Sequence, residues 1–330
     1  MTRSGSHRRV SADIVARIVL AGAVYAIFAA TDPNYRTQGS IFAILEGFAF
    51  VALLGLGLSV TIIAGELDLS VGSTAAVAGI VAVYASGLGL LPSILIATCG
   101  AAVFGLLQGT AIARLQISSL VFTLGTLIGL RGLAFVIAHD ATVSVSFANL
   151  AFSDTLVRRY WIFSPFSLTT LAAFLIVGTF LGYARYGREV YAIGGARNEA
   201  RAAGVSVARP IVIAFTISAT TAGLAGSLAA LKSGAATPDA FGSSLLDAAT
   251  VALVGGISLY GGRGSVYRVI LGALTLRFLI AGLDSRGAQY YIESLATGAL
   301  LLGVIVVEFA VEQEHAWKRA RGLLAIGNRG

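Results

Sequence analysis

The sequence predicts an all-α, polytopic membrane protein with about ten transmembrane helices. Three observations carry this. Of 330 residues, 57% are hydrophobic and 12% are charged, and a soluble domain carries roughly twice that charge. The apolar residues form long unbroken runs rather than short alternating segments, which selects helices over a barrel. One long polar interruption, Tyr183–Pro210, carries five arginines, as a loop on the cytoplasmic face of a membrane does. One integral domain over 1–330 is the simplest organisation. The 40 glycines suit closely crossing membrane helices. The net charge of +7 reads as a cytoplasmic-loop effect and not as a nucleic-acid signal. A lone cysteine, Cys99, sits in an apolar run, which excludes a disulfide framework or a cysteine metal cluster.

Residues 1–13 are polar and basic and are expected on the cytoplasmic side. Ile14–Ala30 is longer than a signal-peptide core and reads as an uncleaved first span. The second span, Ile41–Ala64, holds Glu46 about one turn from its outer end, a position that favours an interfacial carboxylate. A polar link follows, with Glu66 and Asp68. Asp68 or Ser70 is a candidate cap for the helix beginning near Val71. The third and fourth spans are Val71–Ser86 and Leu91–Ala113. The fifth, Ser119–Ala138, holds Thr123, Thr126, a Gly125/Gly129 packing pair and Arg131. Arg131 either snorkels outward or pairs with an internal acid, Asp247 or Asp68.

A mixed polar loop, 139–165, is expected outside, as a small cap on the membrane surface. Leu168–Tyr183 is the sixth span. The basic loop 185–209 then holds Arg185, Arg188, Arg197, Arg201 and Arg209 against only Glu189 and Glu199, and so fixes the orientation. Within it Arg197–Ala203 reads as a short helix, started by Asn198 or the preceding glycines and stopped at Gly204. Ile211–Leu231 is the seventh span, with Ala219, Gly223 and Gly226 for packing. Lys232–Leu246 is expected outside. Lys232-Ser233 is no phosphate loop, because Leu231 stands where glycine is required. Asp247–Tyr260 is a short, glycine-broken apolar run. Val266–Leu283, which contains Arg277, and Tyr291–Val311 complete the spans, and 312–330 is a basic cytoplasmic tail. Spans two to five and seven to ten each hold a short glycine-interrupted segment and run in opposite directions, the pattern of an inverted repeat.

Four segments match one family in order. They are G-x-L-D-L-S-V-G-S at 65–73, T-L-G-T…R-G-L-A at 123–134, G-R-x-x-Y-A-I-G-G at 187–195 and L-D-A…G-G-x-S-L-x-G-G-R-G-S-V at 246–266. The chain thus resembles the permease subunits of ribose-type ABC importers, in the branched-chain amino acid/ribose permease superfamily. Ala196, Arg268, Arg277 and Glu46 depart from that family's usual residues. The resemblance implies a bacterial inner-membrane permease with both termini cytoplasmic, a second permease copy (identical or paired), ABC ATPase subunits and an extracytoplasmic sugar-binding protein. ATP and Mg would be used by the partner ATPase, with no cofactor or metal bound by this chain. It places ATPase coupling at Arg188, Glu189, Arg197, Asn198, Glu199, Arg201 and Gly204. Ala200, Ala202 and Ala203 would give the close approach. Candidates for the translocation pathway are Glu46, Asp68, Ser70, Thr123, Thr126, Arg131 and Asp247. A branched-chain amino acid permease ranks second, because its coupling-loop wording differs. A secondary transporter or channel ranks third: Glu46, Glu293 and Glu308 lie near span ends, and His7, His139 and His315 lie outside the spans, so no proton relay is evident. No nucleophile–base pair suggests an enzyme.

Overall fold

The computed structural model describes the backbone of residues 3–146, 149 and 151–327, and the side chains of 14–146, 149, 151–307 and 309. The side chains of 1–13 and 312–330, expected to be cytoplasmic, lie outside that description. The chain runs through α1 (Arg3–Thr31), α2 (Gln38–Ile63), α3 (Val71–Tyr84), α4 (Leu90–Leu115), α5 (Ser119–Ala138) and α6 (Ala151–Leu156). It continues through α7 (Pro165–Tyr183), α8 (Arg185–Gly195), α9 (Arg197–Ala202) and α10 (Ala208–Ser233). It ends with α11 (Ser244–Val254), α12 (Val266–Asp284) and α13 (Tyr290–Gly327). Two short strands, β1 (Val143–Ser144) and β2 (Ala235–Ala236), pair antiparallel with Val143 opposite Ala236.

Among the described residues, nine helices are long and apolar enough to cross a membrane. The expected eighth span, Asp247–Tyr260, falls on α11, whose 11 residues reach only ~16 Å, about half the hydrocarbon thickness. A half-helix at membrane depth leaves its last carbonyls without water, so another side chain must meet them. Arg17 of α1 does this, donating to the carbonyls of Val254 and Leu253. It is therefore a helix-end cation rather than a free basic residue at the surface.

The core gathers on α2 and α10, which pack against each other; α10 also lies on α3 and α4. Small residues set these crossings. A Cβ at Gly226 would overlap the Ala75 carbonyl oxygen on α3, and one at Gly223 would overlap the Ala101 methyl on α4. The expected packing role of Ala219, Gly223 and Gly226 therefore holds. That of Gly125 and Gly129 does not hold within this chain, since nothing lies within 4 Å of a Cβ at either. Their helix, α5, is mostly exposed. Tyr35, in the 3-10 turn between α1 and α2, anchors that turn by donating to the Phe278 carbonyl at 2.8 Å. Burial pushes its hydroxyl up to about 12.

Two connections differ from expectation. Residues 185–195 are not loop but the helix α8. Gly187, Val190 and Ile193 are buried along one face, a helical period that runs through the charged residues. The segment after α10, expected outside, turns back into the bundle. Phe241 packs against Phe50 of α2 with ring centroids 4.7 Å apart, and its carbonyl oxygen lies 2.8 Å from where a Gly72 Cβ would be.

Candidate functional site

Three groups of polar residues stand out in the apolar bundle. The first surrounds Asp68, in the link between α2 and α3. Asp68 is 1% exposed. Its Oδ1 accepts from the Ser70 hydroxyl at 2.6 Å, the Ser70 N–H at 3.0 Å and Gln108 Nε2 on α4 at 3.3 Å. Its Oδ2 accepts from Ser218 of α10 at 2.7 Å. Thr126 of α5 donates to Gln108 Oε1 at 2.9 Å, and Thr123 donates to the Leu67 carbonyl at 3.2 Å. The expectation that Asp68 or Ser70 caps α3 by a side chain is wrong. Ser70 occupies the cap position without such a bond, because its hydroxyl is turned to Asp68. Gln108 and Ser218 are additions that the sequence reading does not contain. An amide inside an apolar run is a usable signal for Gln108; Ser218 has no such mark among the small residues of its helix.

The second group lies at the end of the bundle that carries α8 and α9. Arg197 Nη2 stands 2.6 Å from Glu66 Oε1, with Glu66 8% exposed and Arg197 40% exposed. Around this pair three backbones meet. The Gly262 N–H donates to the Ile63 carbonyl at 2.9 Å. A Cβ at Gly194 would overlap that same carbonyl oxygen. The helix α9 ends as expected at Gly204, with φ +83. The Val205 N–H donates to the Ala200 carbonyl and the Gly204 N–H to that of Arg201, a Schellman closure. Its start is not as expected. The cap position is Ala196, with no side-chain bond, and Asn198 lies inside the helix. Ala200 is buried against this chain, so it is not available to a partner. Asn198, Glu199, Arg201 and Ala202 are exposed. Arg188 donates to the Tyr183 carbonyl at 2.8 Å, and Glu189 pairs with Arg185 at 3.1 Å.

The third group lines a cavity of about 620 Å³ near the β1–β2 end, bounded by α2, α7, α10, α11, α12 and the re-entrant segment. Glu46 is buried and lines it, rather than reaching an interface. Its Oε2 pairs with Lys232 at 2.5 Å, and its Oε1 accepts from Ser164 at the start of α7. Asp247 and Arg277 face the same cavity. Arg131 pairs with Asp239 of the re-entrant segment at 2.5 Å, not with Asp247 or Asp68. Its helix places it beside that segment, while Asp68 is already filled by uncharged donors. Both members of the Arg131–Asp239 pair are half-exposed, 52% and 58%. Charges so placed on an apolar helix face call for water or protein beside them, not lipid. Among the described residues no cluster of three or more His, Cys, Asp or Glu has metal-binding geometry.

A profile described as branched-chain amino acid transport system / permease component matches residues 40–307. The chain is 30% identical to the ribose import permease protein of Escherichia coli K12, over 86% of this chain and 89% of that one. It is 30% identical to the D-allose transport system permease protein of the same organism, over 86% and 88%. It is 25% identical to the xylose transport system permease protein of Haemophilus influenzae, over 91% and 97%. No solved structure matches. The chain therefore belongs to the family of permease components described for branched-chain amino acid transport systems, the family of these sugar permeases.

Proposed function

We propose that the chain is the membrane-spanning permease subunit of an ATP-driven importer for a sugar. Its long similarity to the ribose and allose permeases carries this reading. The same similarity ranks sugars above branched-chain amino acids. ATP and Mg are used by partner ATPase subunits, and an extracytoplasmic binding protein delivers the solute. A second permease copy lies against the face that bears the Arg131–Asp239 pair, where it and a water-filled path keep those charges out of lipid.

The arrangement supports a route for coupling. The exposed part of α9 offers Asn198, Glu199, Arg201 and Ala202 to the ATPase. Arg197 ties α9 to Glu66, and the next residue, Leu67, is held to α5 by Ser119 and Thr123. Asp68 then reaches α4 and α10. A push on α9 is thus delivered to the link between α2 and α3. The test is uptake of labelled ribose, allose, xylose, arabinose and fructose by proteoliposomes holding this chain with its ATPase and binding protein, with leucine as control. ATP-dependent uptake of one of the sugars is expected; uptake of leucine alone would sink the reading. In that system Ala202→Trp, on the exposed face of α9, is expected to lower ATPase co-purification at least about tenfold, a typical loss when a bulky group enters a packed interface. Full co-purification and uptake would leave α9 a mere topological anchor.

Orientation follows from the arginines of α8 and α9, which belong on the cytoplasmic side with both termini. In a Cys99→Ser background, an impermeant maleimide added outside is expected to label Asp140→Cys and not Gly195→Cys, both being exposed positions. The reverse pattern would overturn the orientation.

A further inference from the structure

We propose that Asp247 and Arg277 form a solute subsite inside a single copy of the chain, selective for an uncharged polyhydroxylated solute. The inference rests on the importer reading and specifies where the sugar is held. Four charged residues line the cavity of about 620 Å³, a volume in the usual range for a small-molecule site. Two of them satisfy each other: Glu46 is taken up by Lys232 and Ser164. Neither remaining side chain, Asp247 or Arg277, makes a hydrogen bond or close ion pair with any described residue, and Arg277 Nε is enclosed with no acceptor. A guanidinium carries five N–H donors and a carboxylate accepts only. Leaving both unfilled in a half-buried place is costly unless a ligand or water completes them.

The position is also built. The Arg277 guanidinium lies flat on α2 at Gly47, where an added Cβ would overlap Nη2. Any other residue at 47 would displace it. Beyond the same two side chains lies a second hollow of about 320 Å³, edged by Tyr290, Glu293, Ser294 and Thr297. Asp247 and Arg277 are therefore the shared wall between two chambers. The charges decide the ligand class. Glu46, Asp247 and Glu293 line the two hollows against Lys232 and Arg277, so formal positive charge is already matched there and an anionic solute gains little from Arg277. A sugar hydroxyl both donates and accepts. Neighbouring hydroxyls can give hydrogen bonds to Asp247 and take them from Arg277 with no charge left over.

The experiment uses the assembled complex in proteoliposomes and the five labelled sugars, with glucuronate as an anionic probe. Arg277→Gln and Asp247→Asn are each expected to lower uptake at least about tenfold, the loss of one or two charge-assisted hydrogen bonds. The losses should differ among the sugars, because each presents its hydroxyls in a different configuration. Arg277→Lys should retain more uptake than Arg277→Gln. If a variant does not assemble, the other carries the test, since each removes one half of the subsite. Arg277→Lys no better than Arg277→Gln marks structural damage and overturns the subsite, as do unchanged rates in both variants. Parent uptake of glucuronate above that of every neutral sugar overturns the uncharged class. A parent inert toward all five sugars overturns the importer reading itself, which is a different failure.

Discussion

Glu66→Lys is expected to lower ATP-driven uptake at least about thirtyfold while leaving the ATPase bound. The pair it breaks is the direct charged contact between α9 and the link that follows α2. A hydrogen bond between charged groups contributes roughly 1.5–3 kcal/mol. The lower half of that range applies, because Arg197 is 40% exposed and solvent screens it. Reversal sets an ammonium against the Arg197 guanidinium, and this repulsion makes the total effect larger than deletion of the pair. A change of ~2 kcal/mol corresponds to about a thirtyfold loss. Arg197→Glu should do the same through the other partner. The exchanged pair, Glu66→Arg with Arg197→Glu, should recover a substantial part of the lost uptake, because the contact is restored with its signs inverted. Asn198, Glu199, Arg201 and Ala202, the residues α9 offers to the ATPase, are untouched in all of these, so co-purification of the ATPase should persist. Reconstituted uptake and co-purification are read together. Single variants with full uptake would show that the contact transmits nothing. A double variant no better than the singles would assign the damage to each residue separately.

Much of this arrangement is readable from the residues alone. Every long apolar run lies within a helix, and Ser119–Ala138 matches at both ends, whereas the first and last helices continue past their expected limits into the polar flanks, from Arg3 and to Gly327. Burial in lipid leaves a backbone few options, so hydropathy locates such helices well. The half-length α11 is legible as a short run broken by glycines. The helix α8 is harder to see because its charges suggest loop, although its buried positions recur at a helical period. What helices do with their ends is much less legible. That Arg17 closes α11, from a position more than 200 residues away in sequence, depends on tertiary packing.

The partners of charged residues are the least legible feature. Glu46, Arg131 and Asp247 are recognisable as anomalies, because an ionised group among apolar residues is expensive. Hydropathy says that such a group needs a partner, not which one. Arg131 finds Asp239 because the segment after α10 folds inward, and its run of glycine, serine and alanine looks like exposed loop. Lys232 looks like a loop cation for the same reason, yet it holds Glu46. The first of the four family-like segments, 65–73, contains the Asp68 link. The Glu66–Arg197 contact joins that segment to α9, which begins just beyond the third, 187–195, and neither stretch alone indicates it.

Asp68→Leu is expected to prevent stable assembly, whereas Asp68→Asn is expected to preserve it. Asp68 sits where α3, α4 and α10 converge and takes hydrogen bonds from Ser70, Gln108 and Ser218. Leucine has about the right volume but accepts none of them. Each buried donor left unmet costs roughly 1–3 kcal/mol, so the four of them, two from Ser70 and one each from Gln108 and Ser218, amount to several kcal/mol. A loss of about 4 kcal/mol lowers the Tm of a chain this size by about 6 °C. Asparagine is nearly the same shape. Its Oδ1 keeps the bonds from Ser70 and Gln108, and its Nδ2 donates to the Ser218 hydroxyl, which accepts as well as donates. The Asn variant should therefore stay monodisperse in detergent, with a Tm within about 1 °C of the parent, a change under 1 kcal/mol on the same scale. Size-exclusion profiles and thermal melts of the three proteins decide the matter. A Leu variant as stable as the parent would mean the network contributes nothing to holding these helices. An Asn variant as damaged as Leu would mean that the negative charge, and not the hydrogen-bonding shape, is what this position requires.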